Sequence, residues 1–209
     1  MKNDSDQETT LIQSAQCGDL EAFNLLILRH QSFLFGIALR LLNDEDVAAD
    51  AVQEALVSAF RKFDTFRGGS LKSWLARIVV NASYDEMRRK RRQPAVPLDQ
   101  LNEYDEEIES HSWLVDPNAG LEEGYEHAEL KNAIEECLGS IPFAYRVIVT
   151  LVDIEGMPYE EAAQAAGIPI GTVKSRLARA RIQLRQRLNR FGDLLPAAYQ
   201  VELSSMASV

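Results

Sequence analysis

Met157-Pro-Tyr-Glu-Glu-Ala-Ala-Gln-Ala-Ala-Gly-Ile-Pro-Ile-Gly-Thr-Val-Lys-Ser-Arg-Leu-Ala-Arg-Ala-Arg181 reads as a helix, a tight turn and a second helix with a basic outer side. Pro158 suits a first helical position, where its missing N–H is no loss. Ala162, Ala163 and Ala166 give the first helix a small-residue inner face. Gly167 fits the left-handed position that ends a helix, and Pro169 cannot continue it. Ile168 and Ile170 are expected to plug the corner, with the next helix starting near Gly171 or Thr172. Val173, Leu177, Ala180, Leu184 and Leu188 then form one apolar stripe, as on a surface helix packed against a core.

At about 100° per residue, Thr172, Ser175 and Arg179 point away from that stripe, with Arg176 on one flank and Lys174, Arg181 and Arg185 on the other. In a helix-turn-helix the N-terminal residues of the second helix reach base edges in the major groove. Thr172, Ser175, Arg176 and Arg179 are therefore candidates for base contact, since arginine can bind guanine O6 and N7 together. Lys174, Arg181 and Arg185 are better placed to hold phosphates, which position a protein without reading sequence. A solvated basic helix that only keeps a bundle soluble is the alternative; the turn, the small preceding helix and the stripe's register argue against it.

The net charge of −10 hides an alternation. Residues 1–60 hold 3 basic and 10 acidic groups, 61–92 hold 10 and 3, 93–130 hold 0 and 11, 131–170 hold 2 and 6, and 171–209 hold 7 and 2. Two separate basic blocks in an acidic chain point to nucleic acid, where the mean charge alone would not. No apolar run is long enough to span a membrane, and the N-terminus lacks the blocks of a signal peptide. A cytoplasmic protein is expected. Cys17 and Cys137 read as buried free thiols.

The chain reads as all-α: two small helical domains joined by an acidic flexible linker. Residues 1–92 form the first, with a short helix ending at Gly18, a long one over 19–42, another from Asn43-Asp44 to Phe60, and one capped by Ser70. Residues 93–124 carry three prolines and no Lys or Arg, which favours a linker. The second domain spans 125–191, with helices near 126–139, 142–153, 159–166 and 171–190; residues 192–209 form a tail.

Two further constellations carry chemistry. Asp46, Asp50 and Glu54 recur at spacing four with Gln53 beside them, and no Lys or Arg between 44 and 60 offsets their repulsion. They suggest a docking surface for a basic partner. The segment 63–92 combines the loop Phe66-Arg67-Gly-Gly with a helix whose one face offers Arg77, Asn81, Tyr84, Asp85 and Arg88, with Arg89 following. Cations that track phosphates beside aromatic or polar pockets suit unpaired nucleotides. Phe63 and Trp74 sit where burial is the simpler expectation. His30, His111 and His127 are isolated, no metal-ligand spacing or phosphate loop occurs, and neither catalysis nor a cofactor is expected.

Three motifs in this order resemble the bacterial sigma factors of the extracytoplasmic-function type: Asp44-Glu-Asp-Val-Ala-Ala-Asp-Ala-Val-Gln-Glu54; Phe66-Arg-Gly-Gly-Ser-Leu-Lys-Ser-Trp-Leu-Ala-Arg77 with Asn81, Asp85 and Arg88-Arg89; and Gly156 with Tyr159-Glu-Glu161 and Gly171-Thr-Val-Lys-Ser-Arg-Leu-Ala-Arg-Ala-Arg181. The chain departs from the family's habits at Ala49, Ala163 and Met157-Pro158. The resemblance implies a chain that binds core RNA polymerase, directs it to −35 and −10 promoter elements, and helps melt the latter. It implies that Asp46, Asp50, Gln53 and Glu54 dock on the polymerase clamp helices, and that residues 63–92 hold the melted −10 strand, with Asn81 near a flipped base. It further implies that the helix-turn-helix reads duplex at −35 and lies on the polymerase flap, and that an anti-sigma factor restrains the chain. A two-domain regulator of duplex DNA is the competing reading, and it leaves the acidic helix and the 63–69 loop without a task.

Overall fold

Three capping side chains set helix starts in the first half. In the computed structural model, which describes residues 2–92 and 121–194, Oδ1 of Asp19 accepts from the N–H groups of Glu21 and Ala22 at 2.9 and 3.1 Å. Oδ1 of Asp44 accepts from the N–H of Val47 at 3.1 Å, and Oγ of Ser70 from that of Ser73 at 3.2 Å. Each satisfies donors that a helix N-terminus leaves orphaned. The elements are α1 (Lys2–Gln16), α2 (Leu20–Leu28), α3 (Gln31–Leu42), α4 (Glu45–Arg61), a 3-10 turn at Phe63–Thr65, and α5 (Leu71–Arg92). The second half holds α6 (Leu121–Ser140), α7 (Phe143–Val149) running into a π turn at Thr150–Ile154, α8 (Tyr159–Ala166), α9 (Ile170–Leu188) and a 3-10 segment at Asn189–Leu194. The architecture is all-α, with no strand among the described residues.

Residues 19–42, expected as one helix, are two helices bent by 65° at Arg29 and His30. The bend lets Phe23 on α2 meet Phe60 and Phe63 edge to face, with centroids 5.2 and 5.3 Å apart. Meanwhile α3 runs along α4 and α5. The expected short first helix ending at Gly18 is found as α1, but Cys17 at its end is exposed rather than buried. Cys137 is a buried free thiol as expected. No single helix among the described residues is long and apolar enough to cross a membrane.

The two helical units do not stand apart. Their buried side chains form one continuous apolar cluster that runs from Phe23, Leu34 and Val79 to Ile148, Leu151 and Leu177. α8 lies against α5, and α3 touches α6 and α7. Small helical units bury too little apolar surface alone, and packing the halves together supplies more. Of the linker expected over 93–124, residues 93–120 lie outside the described residues, and 121–124 belong to α6. The tail lies outside them from 195 onward.

Candidate polymerase and nucleic-acid interfaces

Gly167 ends α8 at φ +66°, ψ +33°, a left-handed conformation that costs other L-residues about 1–2 kcal/mol. From there its own N–H and that of Ile168 reach back to the carbonyls of Gln164 and Ala163 at 3.3 and 3.1 Å. This is the paired closure of a Schellman turn. Pro169 then caps α9, which begins one residue earlier than expected, at Ile170. Ile168 packs partly against the core. Ile170 is 36 % exposed and does not plug the corner, because it opens the new helix on its outer side. Along α9, Val173, Leu177 and Ala180 are buried and Leu184 and Leu188 half-buried, which is the stripe read from the sequence.

The opposite side of α9 carries Lys174, Ser175, Arg179, Arg181 and Arg185 exposed, and Thr172 half-buried. The Ser175 hydroxyl donates to the Thr172 carbonyl at 3.1 Å. Arg176 is half-buried and close enough to Tyr84 of α5 for its charge to act on the phenol. Arg181 differs from the reading as a phosphate contact. Its Nε and Nη2 donate to Asp153 Oδ2 and Oδ1 at 3.0 and 2.6 Å, so an internal carboxylate already occupies its fork.

On α5, Arg77, Asn81, Asp85 and Arg88 are exposed along one face, and Arg88 lies 3.8 Å from Asp85. Tyr84 is half-buried, its ring edge-on to Phe143 with centroids 4.5 Å apart. Burial pushes its phenol above the usual value, with Arg176 and Arg88 pulling the other way. Arg89 donates to the buried carboxylate of Glu86 and lies 4.0 Å from Glu54.

Phe66 requires a correction. It is 3 % exposed, packed on Phe63 and Trp74 with centroids 6.1 and 5.7 Å away, and the Gln16 side-chain amide donates to its carbonyl at 2.7 Å. An aromatic ring in that cluster gains more from burial than from water, so Phe66 anchors the loop rather than stacking on a base. Arg67, Gly68 and Gly69 beyond it are exposed, the glycines at φ +91° and +88°.

Asp46, Asp50, Gln53 and Glu54 share one exposed face of α4. Val57, 52 % exposed, extends it into a shallow groove bordered by Ser58, Arg61 and Lys62. The like-charge ladder has compensation from outside its own helix. Arg89 of α5 reaches Glu54, and Lys90 sits 3.0 Å from Asp44, the cap just ahead of the ladder. The Asp44 carboxyl is held below its usual value first by the Val47 N–H and then by Lys90.

Sequence reasoning missed the residues that join the halves. Arg40 Nη1 meets Glu155 Oε1 at 2.9 Å. The Glu161 carboxylate accepts from the hydroxyls of Ser70, at 2.9 Å, and Ser73. Arg146 donates to the carbonyls of Leu41 at 2.8 Å, Ile141 at 3.3 Å and Gly139. Glu161, Ser70 and Ser73 fell within motifs already singled out, but nothing in the sequence paired them; Arg40, Glu155 and Arg146 fell in none.

Residues 26–93 match the family model described as Sigma-70 region 2, and residues 131–184 that described as Sigma-70, region 4. The chain is 31% identical over 177 residues to the RNA polymerase sigma-H factor of Pseudomonas aeruginosa, covering 84% of this chain and 91% of that protein. It is 36% identical over 180 residues to the ECF RNA polymerase sigma-E factor of Escherichia coli, covering 83% and 90%. Among solved structures it is similar to CnrH in complex with the cytosolic domain of CnrY, at TM-score 0.63 and 25% identity over 88% of this chain and 98% of that one. It is also similar to the sigma factor RpoE of Bartonella quintana in complex with the anti-sigma factor NepR, at TM-score 0.60 and 27% identity over 81% and 98%. With both regions matched in order and the relatives covered almost end to end, the chain belongs to the extracytoplasmic-function family of RNA polymerase sigma factors and directs promoter-specific transcription initiation by core polymerase.

Proposed function

We propose that α4 docks on core polymerase through Asp46, Asp50, Gln53 and Glu54. The exposed face of α5 then holds the melted −10 strand through Arg77, Asn81, Asp85 and Arg88, with Arg67 on the loop and Tyr84 and Arg89 joining once freed from their internal partners. α9 reads the −35 duplex through Thr172, Ser175, Arg176 and Arg179, with Lys174 and Arg185 on phosphates. Residues 1–92 and the unit from α6 (Leu121–Ser140) to residue 191 act as separate DNA-reading units, joined through the acidic stretch 93–120. The chain works in the cytoplasm beside the polymerase, which performs the bond-making chemistry.

One observation carries the dynamic part of this reading: Tyr84 of the −10 helix lies against Phe143 and within reach of the charge of Arg176 on the −35 helix. The two promoter elements are 25 base pairs apart by their numbering, about 85 Å at 3.4 Å per base pair. A compact body of about 165 residues has a radius of gyration near 15 Å, so roughly 40 Å across. The closed form cannot reach both elements of a straight duplex, and initiation requires the halves to separate. Closure is the resting state, and an anti-sigma factor, of the kind that the Bartonella relative binds, holds it.

The test is resonance energy transfer between dyes at Asn24→Cys and Gln186→Cys in a Cys17→Ser background. Efficiency should be high in the free chain and fall in the holoenzyme on promoter DNA. High efficiency in a transcribing complex overturns the reading.

A further inference from the structure

The π turn at Thr150–Ile154 places Asp153 opposite α9. The Glu155 N–H reaches the Thr150 carbonyl five residues back at 2.9 Å, the wide spacing of a π turn, which often marks a functional position in a helix. Asp153 takes both Nε and Nη2 of Arg181. Tyr159, the first residue of α8, lies close enough for its phenol to act on the Arg181 guanidinium, after Asp153. One guanidinium thus ties the turn before the helix-turn-helix to its recognition helix. The planar fork of arginine makes this a directional contact, which a lysine point charge cannot reproduce.

We propose that Arg181 is a positioning residue for promoter reading: through its two-point hold on Asp153 it fixes the rotation of α9, so that Thr172, Ser175, Arg176 and Arg179 meet the duplex in register. It does not bind a phosphate itself. Thr172 lies nine residues from Arg181, about 13 Å along the helix at 1.5 Å per residue. A small rotation permitted at Arg181 therefore displaces the base-reading turn as well. The carboxylate beside Arg181 cancels its charge locally and would repel a phosphate that approached it. This inference rests on the reading of α9 as the −35 helix.

The test uses holoenzyme built from the full chain and core polymerase, on a promoter mapped with the wild-type holoenzyme and on the same promoter with its −35 element scrambled. The readouts are the affinity ratio for the two templates and the salt dependence of binding. R181Q, R181K and D153N should each reduce the ratio by about three- to tenfold with the salt slope unchanged. The charge swap D153R/R181D should restore most of the ratio, a rescue that no misfolded or phosphate-binding variant could show. If instead R181K behaves as wild type, D153N tightens binding, R181Q lowers the salt slope by about one and the swap fails to rescue, Arg181 is a phosphate contact and the proposal is wrong. If the wild-type holoenzyme does not discriminate between the two templates, the −35 reading itself has failed, which separates that failure from this one.

Discussion

Arg40 and Glu155, 115 positions apart in the chain, meet at 2.9 Å across the boundary between the two halves. Burial raises the Glu155 carboxyl above its ordinary value of 4.5, with Arg40 and Lys72 pulling the other way. A carboxyl whose pKa is higher in the closed form takes up a proton on closing. Closure should therefore strengthen as pH falls through that raised value toward 4.5 and sit at its constant lower level above it. Dye-labelled chain should show this gain as pH is lowered through the raised value toward 4.5, and E155Q should remove it. His30, whose pKa burial lowers and which feels Glu8, Lys72 and Arg29, is common to both chains and cancels in the difference. R40A leaves the carboxylate without its nearest cation and should loosen closure by about 1–3 kcal/mol, whereas E155Q should change it by less than about 1 kcal/mol at neutral pH.

Arg146 of α7 joins the halves by donating to Leu41 of α3 as well as to Gly139 and Ile141. Its guanidinium sits where α3 and α6 end, on carbonyls that no helical N–H can satisfy, and there a cation also favours both helix dipoles. R146M should cost about 2–4 kcal/mol by chemical denaturation, since several carbonyls lose a charged donor at once. R146K should recover only part of that, because one ammonium cannot fork to the same carbonyls.

Charge reversal on the proposed docking face should separate polymerase binding from DNA binding. D50K/E54K should weaken co-elution with core polymerase by at least about tenfold, while the affinity of the isolated chain for duplex falls little or rises. Loss of both, together with a lowered Tm, would point to misfolding.

The helix-turn-helix was legible because its signals are local: a left-handed glycine, a proline two residues later and an unbroken stripe on α9. The acidic face of α4 and the exposed face of α5 were legible for the same reason, as helical spacing alone sorts their residues. The bend at Arg29 and His30 was not. Ile27 and Leu34 are seven residues apart, close to two helical turns, so the apolar stripe runs through the bend without a change of phase. Nor could periodicity reveal the closure of the halves, because Arg146 reaches backbone carbonyls, which exist at every residue. Phe66 reads like an exposed loop aromatic until Phe63 and Trp74 are seen to surround it, and the engagement of Arg181 by Asp153 spans two elements that no single helical period connects.

The most direct measurement is run-off transcription with core polymerase on promoter templates in which the −35 and −10 elements are scrambled separately. Wild-type chain should yield a discrete product that core polymerase alone does not make, and scrambling either element should reduce it. R176A and R179A should each lose about 1–3 kcal/mol of −35 discrimination, while N81A should blunt the response to the −10 element alone. A product indifferent to both elements, or none beyond that of core polymerase, would contradict the assignment.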